Sequence, residues 1–377
     1  MTTIFIHPEN LYKFNYSADH PLKPVRTKKT LELCERLGFF NDISKEVYKP
    51  DGASLEEMIR FHDPEYMEVI GEVSAGLFTN RLIGCGLGSS DCPIFMGLLE
   101  YCATVAGATL DGAKLLIDKK ANIVFNPGGG FHHAHKSVAE GFCYVNDIVL
   151  GILKFLDSGY RRIMYIDLDA HHGNGVQDAF YEDNRVLTIS IHESGKSLFP
   201  GGGFEDEIGK NAGKGFNVNI PLLAMTDDRA WMWIFKEIVP PLIKAFNPEV
   251  LVTQLGVDTL AADPLTHLHL TNNGICQAVK LIKSFEIPWL IVGGGGYNVD
   301  ATVRAWTLVW SIINNMEPQD QYAGAIGGMM SGSSELGGSG LYDMQVYTMG
   351  SDKTKIDKHN KKIADYIKKV IFPLHGI

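Results

Sequence analysis

A chain of 377 residues with 45% apolar side chains can bury a large core, and that length suits a large α/β enzyme. A formal charge of −10, from 34 basic and 44 acidic residues, argues against a nucleic-acid ligand and mildly favours cationic over anionic substrates. No apolar run approaches the ~18 residues of a membrane span, and the first 16 residues lack the charged and apolar regions of a signal peptide.

Short apolar or β-branched runs at 3–7, 122–126, 162–168, 186–192, 216–221, 250–255 and 289–292 read as strands. Between several of them, residues 144–157, 230–246, 273–285 and 302–313 repeat apolar positions at helical spacing. Strands alternating with helices predict βαβ units and a mainly parallel sheet covered on both faces. No internal repeat or linker divides the chain, so residues 1–377 read as one domain. Residues 323–340, rich in Gly and Ser, read as a loop or flexible segment. A C-terminal amphipathic helix is expected near 357–371, packed on the core or on another subunit. Six cysteines (Cys34, Cys85, Cys92, Cys102, Cys143 and Cys276) form no CxxC pair, which suits free thiols in a reducing compartment, hence the cytoplasm.

The polar residues gather after the strands. Residues 122–126 are followed by PGGGFHHAH, with His132 and His133. The run 162–168 leads to Asp169, His171 and His172, with Asp167 just inside the strand end. Asp258 and Asp263 follow 250–255, and Tyr297 follows 289–292 and four glycines, Gly293–Gly296. Taken singly, a tandem histidine after glycines is a surface loop, a DxD is a turn or cap, and GGGG is a tight turn. In a parallel sheet all four ends open on one rim, where α/β proteins bind ligands. Two carboxylates and an imidazole form an open, catalytic type of metal site. Asp169 and His171, at i and i+2 on an extended segment, can share one ion. The third ligand comes from elsewhere, with Asp258 the best candidate. Zinc suits this donor set, as do iron(II) and cobalt(II). Asp167 can orient one histidine, while Asn174 can bond the other without adding negative charge, leaving its pKa lower than an Asp partner would. The Tyr297 phenol can donate to an oxyanion.

With these residues assembled, the chain resembles the histone deacetylase superfamily, which includes bacterial acetoin-utilisation proteins and acetylpolyamine amidohydrolases. The resemblance runs through HPLKPVR (20–26), FNPGGGFHHA, GFCYVND, YIDLDAHHGNGVQDAFY, SIH…FPGGG, LGVDTLAADPL and GGGGYN, about 300 residues in all. It implies an arginase-like three-layer α/β fold with an eight-stranded parallel sheet. It also implies zinc held by Asp169, His171 and Asp258. His132 and His133 become the catalytic pair, with His133 the general base and acid, and Tyr297 stabilises the transition state. Gly141, Phe142 and Phe199 would line the substrate channel beside Cys143, itself read as a buried small hydrophobe. Asp91 would be the rim aspartate, although its flanking loop differs from the family's. An inner potassium site would use Asp167, Asp169, His171, Ser190 and Ile191, and a second Phe180, Asp183, Val186 and Phe216. Many nuclear members carry aspartate where this chain has Asn174, while another branch carries asparagine. A working enzyme with altered histidine electrostatics is expected.

The implied reaction is removal of an acetyl or other acyl group from lysine. The alternative is an acetylpolyamine or other small-molecule N-acetyl amidohydrolase. Polyamine-selective relatives can carry a glutamate near the position of Leu265, so leucine favours acyl-lysine. A ureohydrolase would need another carboxylate where His172 and Gly173 stand. An acyl-lysine reader without turnover is opposed by the intact His132, His133 and Tyr297. A role as a subunit of a larger assembly finds no basic arm beyond KHNKK at 358–362, read as the solvated start of a helix. Homo-oligomerisation is left open.

Overall fold

In a computed structural model, all residues are described except Asn15, Ser17, Ala18, Ile43, Thr79 and 318–339. The Gly/Ser-rich segment at 323–340 therefore falls outside the described residues, save its last.

Eight strands run parallel in the order β2-β1-β3-β8-β7-β4-β5-β6. They are β1 Thr3–Ile6, β2 Lys45–Tyr48, β3 Ile123–Asn126, β4 Ile163–Asp167, β5 Val186–Glu193, β6 Asn217–Leu222, β7 Val250–Gln254 and β8 Trp289–Val292. All except β2 are buried along their whole length. That is why they read as continuous apolar runs rather than alternating ones. Alternate residues nevertheless serve different cores. Phe5, Phe125, Met164 and Ile166 point to one face, and Ile4, Val124, Ile163 and Tyr165 to the other. β2, with sequence KEVY, escapes apolar patterning because it is a half-exposed edge strand whose Lys and Glu deter further pairing.

The helices of seven or more residues, among those described, are α1 Val25–Arg36, α2 Pro64–Ser74, α3 Leu98–Ile117, α4 Asp147–Asp157, α5 Asn174–Phe180, α6 Asp228–Phe246, α7 Asn272–Lys283, α8 Val299–Ile313 and α9 Gly350–Val370. One layer holds α1, α8, α7, α6 and α9 in succession, and the other holds α3, α4 and α5. The expected helix at 144–157 begins at Asp147 because the Asn146 side chain accepts the Val149 amide. Likewise α8 begins three residues before the expected 302, since Asn298 caps it through the Ala301 amide. α9 begins at Gly350 rather than near 357, and buries Ile356, Ile363, Ala364 and Ile367 against α6 and β6. It packs on its own core. KHNKK is thus the middle of α9, not the start of a helix, and its Asn360 is buried, donating to the Ala230 carbonyl. No helix among the described residues is long and apolar enough to cross a membrane.

Candidate active site

β3, β8, β7 and β4 are consecutive neighbours at the centre of the sheet. Their carboxyl ends therefore deliver the four polar loops to one spot.

From the β4 end, the Asp167 Oδ2 atom lies 2.8 Å from His132 Nδ1 and accepts the Tyr165 hydroxyl at 2.5 Å. Two residues on, Asp169 and His171 turn toward Asp258 from the loop after β7. His171 Nδ1 is 3.1 Å from Asp169 Oδ1 and 2.8 Å from Asp258 Oδ2. One donor atom from each of the three residues falls within 4.8 Å of the others. Backbone amides fix the carboxylates: Ala170 donates to Asp258 at 2.9 Å and Gly295 to Asp169 at 2.7 Å. Gly295 allows this approach, because a Cβ there would stand 2.2 Å from Asp258 Oδ2.

The electrostatics show what the cluster lacks. Burial, then the Asp169 charge, pushes the Asp258 carboxyl up to about 7. Burial would lower His171, yet the Asp258 and Asp169 carboxylates outweigh it and raise the imidazole to about 10. Two buried carboxylates thus demand positive charge, which a proton on His171 supplies only in part and a divalent cation in its place would supply in full. Two oxygens and one nitrogen, with a side open to a cavity, fit a catalytic zinc-type ion.

His132 and His133 face each other, Nε2 to Nε2, at 3.0 Å. Burial opposes protonation of His132, but Asp167 and Asp169 prevail and raise it. His133 is held well below its ordinary value by burial and then by His132. Its Nδ1 lies 2.7 Å from Asn174 Oδ1. The pair is therefore pushed apart, His132 toward the charged form and His133 toward the neutral one. Tyr297 is anchored by its amide, which donates to Asp263 Oδ2 at 2.7 Å. Burial, then the Asp258 and Asp169 charges, keeps its phenol well above the ordinary value and hence protonated.

His132, His133, Gly141, Phe142, Cys143, Asp169 and Tyr297 line one cavity, with Leu22 and Arg26. Gly141 has φ +52°, and a Cβ on it would stand 2.5 Å from the His133 ring and 2.9 Å from Phe199. Phe142, also left-handed at φ +70°, meets Tyr297 edge-on at 5.6 Å. The Phe199 ring lies 5.0 Å from that of His133. Asp91 is exposed, and its carbonyl lies 3.2 Å from His20 Nε2, the ring packed edge-on against Phe142. Leu265 is not among the cavity-lining residues; it is half-buried, with its amide on Asp263. Cys143 is buried.

Of the residues expected around potassium, Asp167 and Ser190 are register partners across β4 and β5. The Phe180, Asp183 and Phe216 carbonyls accept from the amides of Asp183, Val186 and Thr188, respectively. The Asp183 carboxylate is gripped by Arg185 at 2.5–3.1 Å.

Several contributors carry no clear sequence signal. Gln254, at the end of β7, donates to Asp169 Oδ2 at 2.6 Å; a polar residue in a buried apolar strand is the one hint. Arg26, buried on α1, donates to the Gly296 carbonyl at 2.7 Å and also to that of Gly294, with its guanidinium 4.9 Å from the Trp306 ring. Asp147 accepts the Gly130 and Phe131 amides and so fixes the loop bearing the histidines.

The histone deacetylase domain family matches residues 20–313. The chain belongs to the histone deacetylase family. It is 39% identical over 315 residues to histone deacetylase 9 of Arabidopsis thaliana, covering 81% of this chain and 73% of that protein. It is 38% identical over 327 residues to histone deacetylase B of Dictyostelium discoideum, covering 84% and 76%. Among solved structures it resembles a histone deacetylase homologue from Aquifex aeolicus, with TM-score 0.87, 30% identity, and coverage of 98% and 100%. Membership supports a deacetylase acting on acetylated substrates.

Proposed function

We propose that this chain is a zinc-dependent amidohydrolase that removes acetyl or related acyl groups from lysine side chains. The observation that carries the proposal is the His132–His133 pair, which shares one cavity with Tyr297 and with Asp169 of the Asp169–His171–Asp258 cluster. Asp169, His171 and Asp258 would hold the ion. A bound divalent cation supplies Lewis-acid polarisation of the acyl carbonyl; iron(II) or cobalt(II) suits the same donors. Neutral His133 is the base that accepts the proton of the attacking water through Nε2, and it returns a proton to the leaving amine. His132, kept charged by Asp167, stabilises negative charge next to it. The Tyr297 hydroxyl donates to the developing oxyanion. Phe142, on the cavity lining, and Phe199, off the lining but with its ring 5.0 Å from that of His133, flank the aliphatic stem, and Asp91 stands at the rim. Potassium, in this reading, sits beside Asp167 and Ser190 and again near Phe180 and Phe216.

Six free cysteines, five of them buried, support a reducing, cytoplasmic setting. Since Leu265 lies off the cavity lining, it gives weak grounds for preferring lysine to a polyamine. The test is therefore turnover of the zinc-loaded protein on an acetyl-lysine peptide beside N-acetylputrescine, with a hydroxamate control. Faster, hydroxamate-sensitive peptide cleavage is expected. Faster acetylputrescine cleavage would make the chain a polyamine amidohydrolase instead.

A further inference from the structure

Asn174 does not contact His133 in isolation. Its Oδ1 lies 2.7 Å from His133 Nδ1, while its Nδ2 donates to Glu140 Oε2 at 2.9 Å. The same Glu140 oxygen lies 2.9 Å from His135 Nε2, and His135 Nδ1 lies 3.2 Å from Asp178. Glu140 is itself pinned by reciprocal backbone bonds with Cys143, at the base of the loop that carries Gly141 and Phe142.

We propose that Glu140 is a positioning residue that fixes the Asn174 amide, and through it the proton on His133 Nδ1, so that Glu140 and Asn174 form a matched pair. An ionised carboxylate only accepts, so the amide must turn its NH2 group toward Glu140. Its oxygen then faces His133 and also only accepts, so Nδ1 must carry the ring proton. Nε2 is left with the lone pair that a general base needs, and that lone pair faces His132 Nε2 at 3.0 Å. An unrestrained amide could turn over, present NH2 to Nδ1 and move the ring proton to Nε2, which removes the base. His135, bonded to Asp178 through Nδ1 and to Glu140 through Nε2, which also lies 3.2 Å from Asn174 Nδ2, holds Glu140 in place. The pairing also explains why position 174 is an amide in this chain. Aspartate there would set two carboxylates about 2.9 Å apart, where both cannot ionise without cost.

The inference rests on the proposed deacylase reading for its kinetic consequence, and on hydrogen-bond geometry with an ionised Glu140 for the His133 tautomer. The test is a double-mutant cycle of E140Q and N174D in the zinc-loaded full chain, with an acetyl-lysine peptide. E140Q alone should lower kcat about threefold and N174D alone at least tenfold, with KM within about twofold. In E140Q/N174D the glutamine can donate to the new carboxylate, so kcat should rise at least fivefold above N174D. One substitution would then harm one background and help the other, which loss of folding cannot produce. Additive losses would overturn the proposal. The second readout is the imidazole 15N spectrum of His133, which needs no turnover. Wild type should show the Nδ1-protonated form and E140A a mixture. An unchanged spectrum in a folded E140A protein would also overturn it. If wild type cleaves no acetylated substrate, the functional reading fails while the spectrum still decides the inference.

Discussion

Tyr297 is held by its backbone and its ring, which leaves the hydroxyl free for chemistry. Asp263 takes the amide, and Phe142 packs edge-on against the ring. Tyr297→Phe preserves both contacts, so metal content and melting temperature should stay at wild-type values. Turnover should fall about 10²- to 10³-fold, the usual loss for one oxyanion donor. Equal turnover would remove Tyr297 from the reaction. His135 offers a different test, through stability. Hydrogen bonds to Asp178 and then Glu140 outweigh partial burial and push its imidazole up from 6.5 to about 9. A raised folded-state pKa stabilises the fold fully below about 6.5, and the contribution is lost as pH rises through about 9. Urea unfolding should therefore show wild type above H135Q at about pH 6 and the difference gone near pH 9.5. A constant difference would mean that the ion pairs with Asp178 and Glu140 carry no stability.

At the scale of elements, what could be read from the sequence depended on burial. Seven strands are legible because each is covered on both faces and reads as an apolar run. β2 is not, because it has one neighbour and half-exposed side chains. The site was legible for a related reason: parallel strands put all their loops on one rim, so polar residues after β3, β4, β7 and β8 had to converge. Gln254, Arg26 and Glu140 stayed hidden because their roles exist only through tertiary contacts. Arg26 meets Gly296 across 270 positions, and Gln254 meets Asp169 across 85. Nor could helical periodicity decide whether the C-terminal helix served this core or a partner. The buried face of α9 does. Ile363, fully buried there, should cost about 3 kcal/mol on truncation to Ala, as a lost side chain plus a cavity. Urea denaturation with an unchanged m-value would register it; a loss below about 0.5 kcal/mol would mean that α9 detaches before the core unfolds.

For the molecule as a whole, the central problem is charge. The chain is acidic overall, at −10, yet it concentrates Asp167, Asp169 and Asp258, all essentially inaccessible, at the middle of its sheet. His132 compensates Asp167 directly. Asp169 and Asp258 share His171, and one imidazolium cannot neutralise two carboxylates. Metal binding is therefore expected to stabilise the whole fold, since an ion that binds only the native state adds RT ln(1 + [L]/Kd), about 2.7 kcal/mol at 100 Kd. Chelation should lower the melting temperature at neutral pH, and stoichiometric zinc should restore it. Asp258→Asn should abolish the zinc-dependent shift while melting at or above the chelated wild type, because it removes one of the two clashing carboxylates. If zinc leaves the wild-type melt unmoved, the protein resolves its buried charge by protonation alone, and the assignment of Asp169, His171 and Asp258 as ligands fails with it.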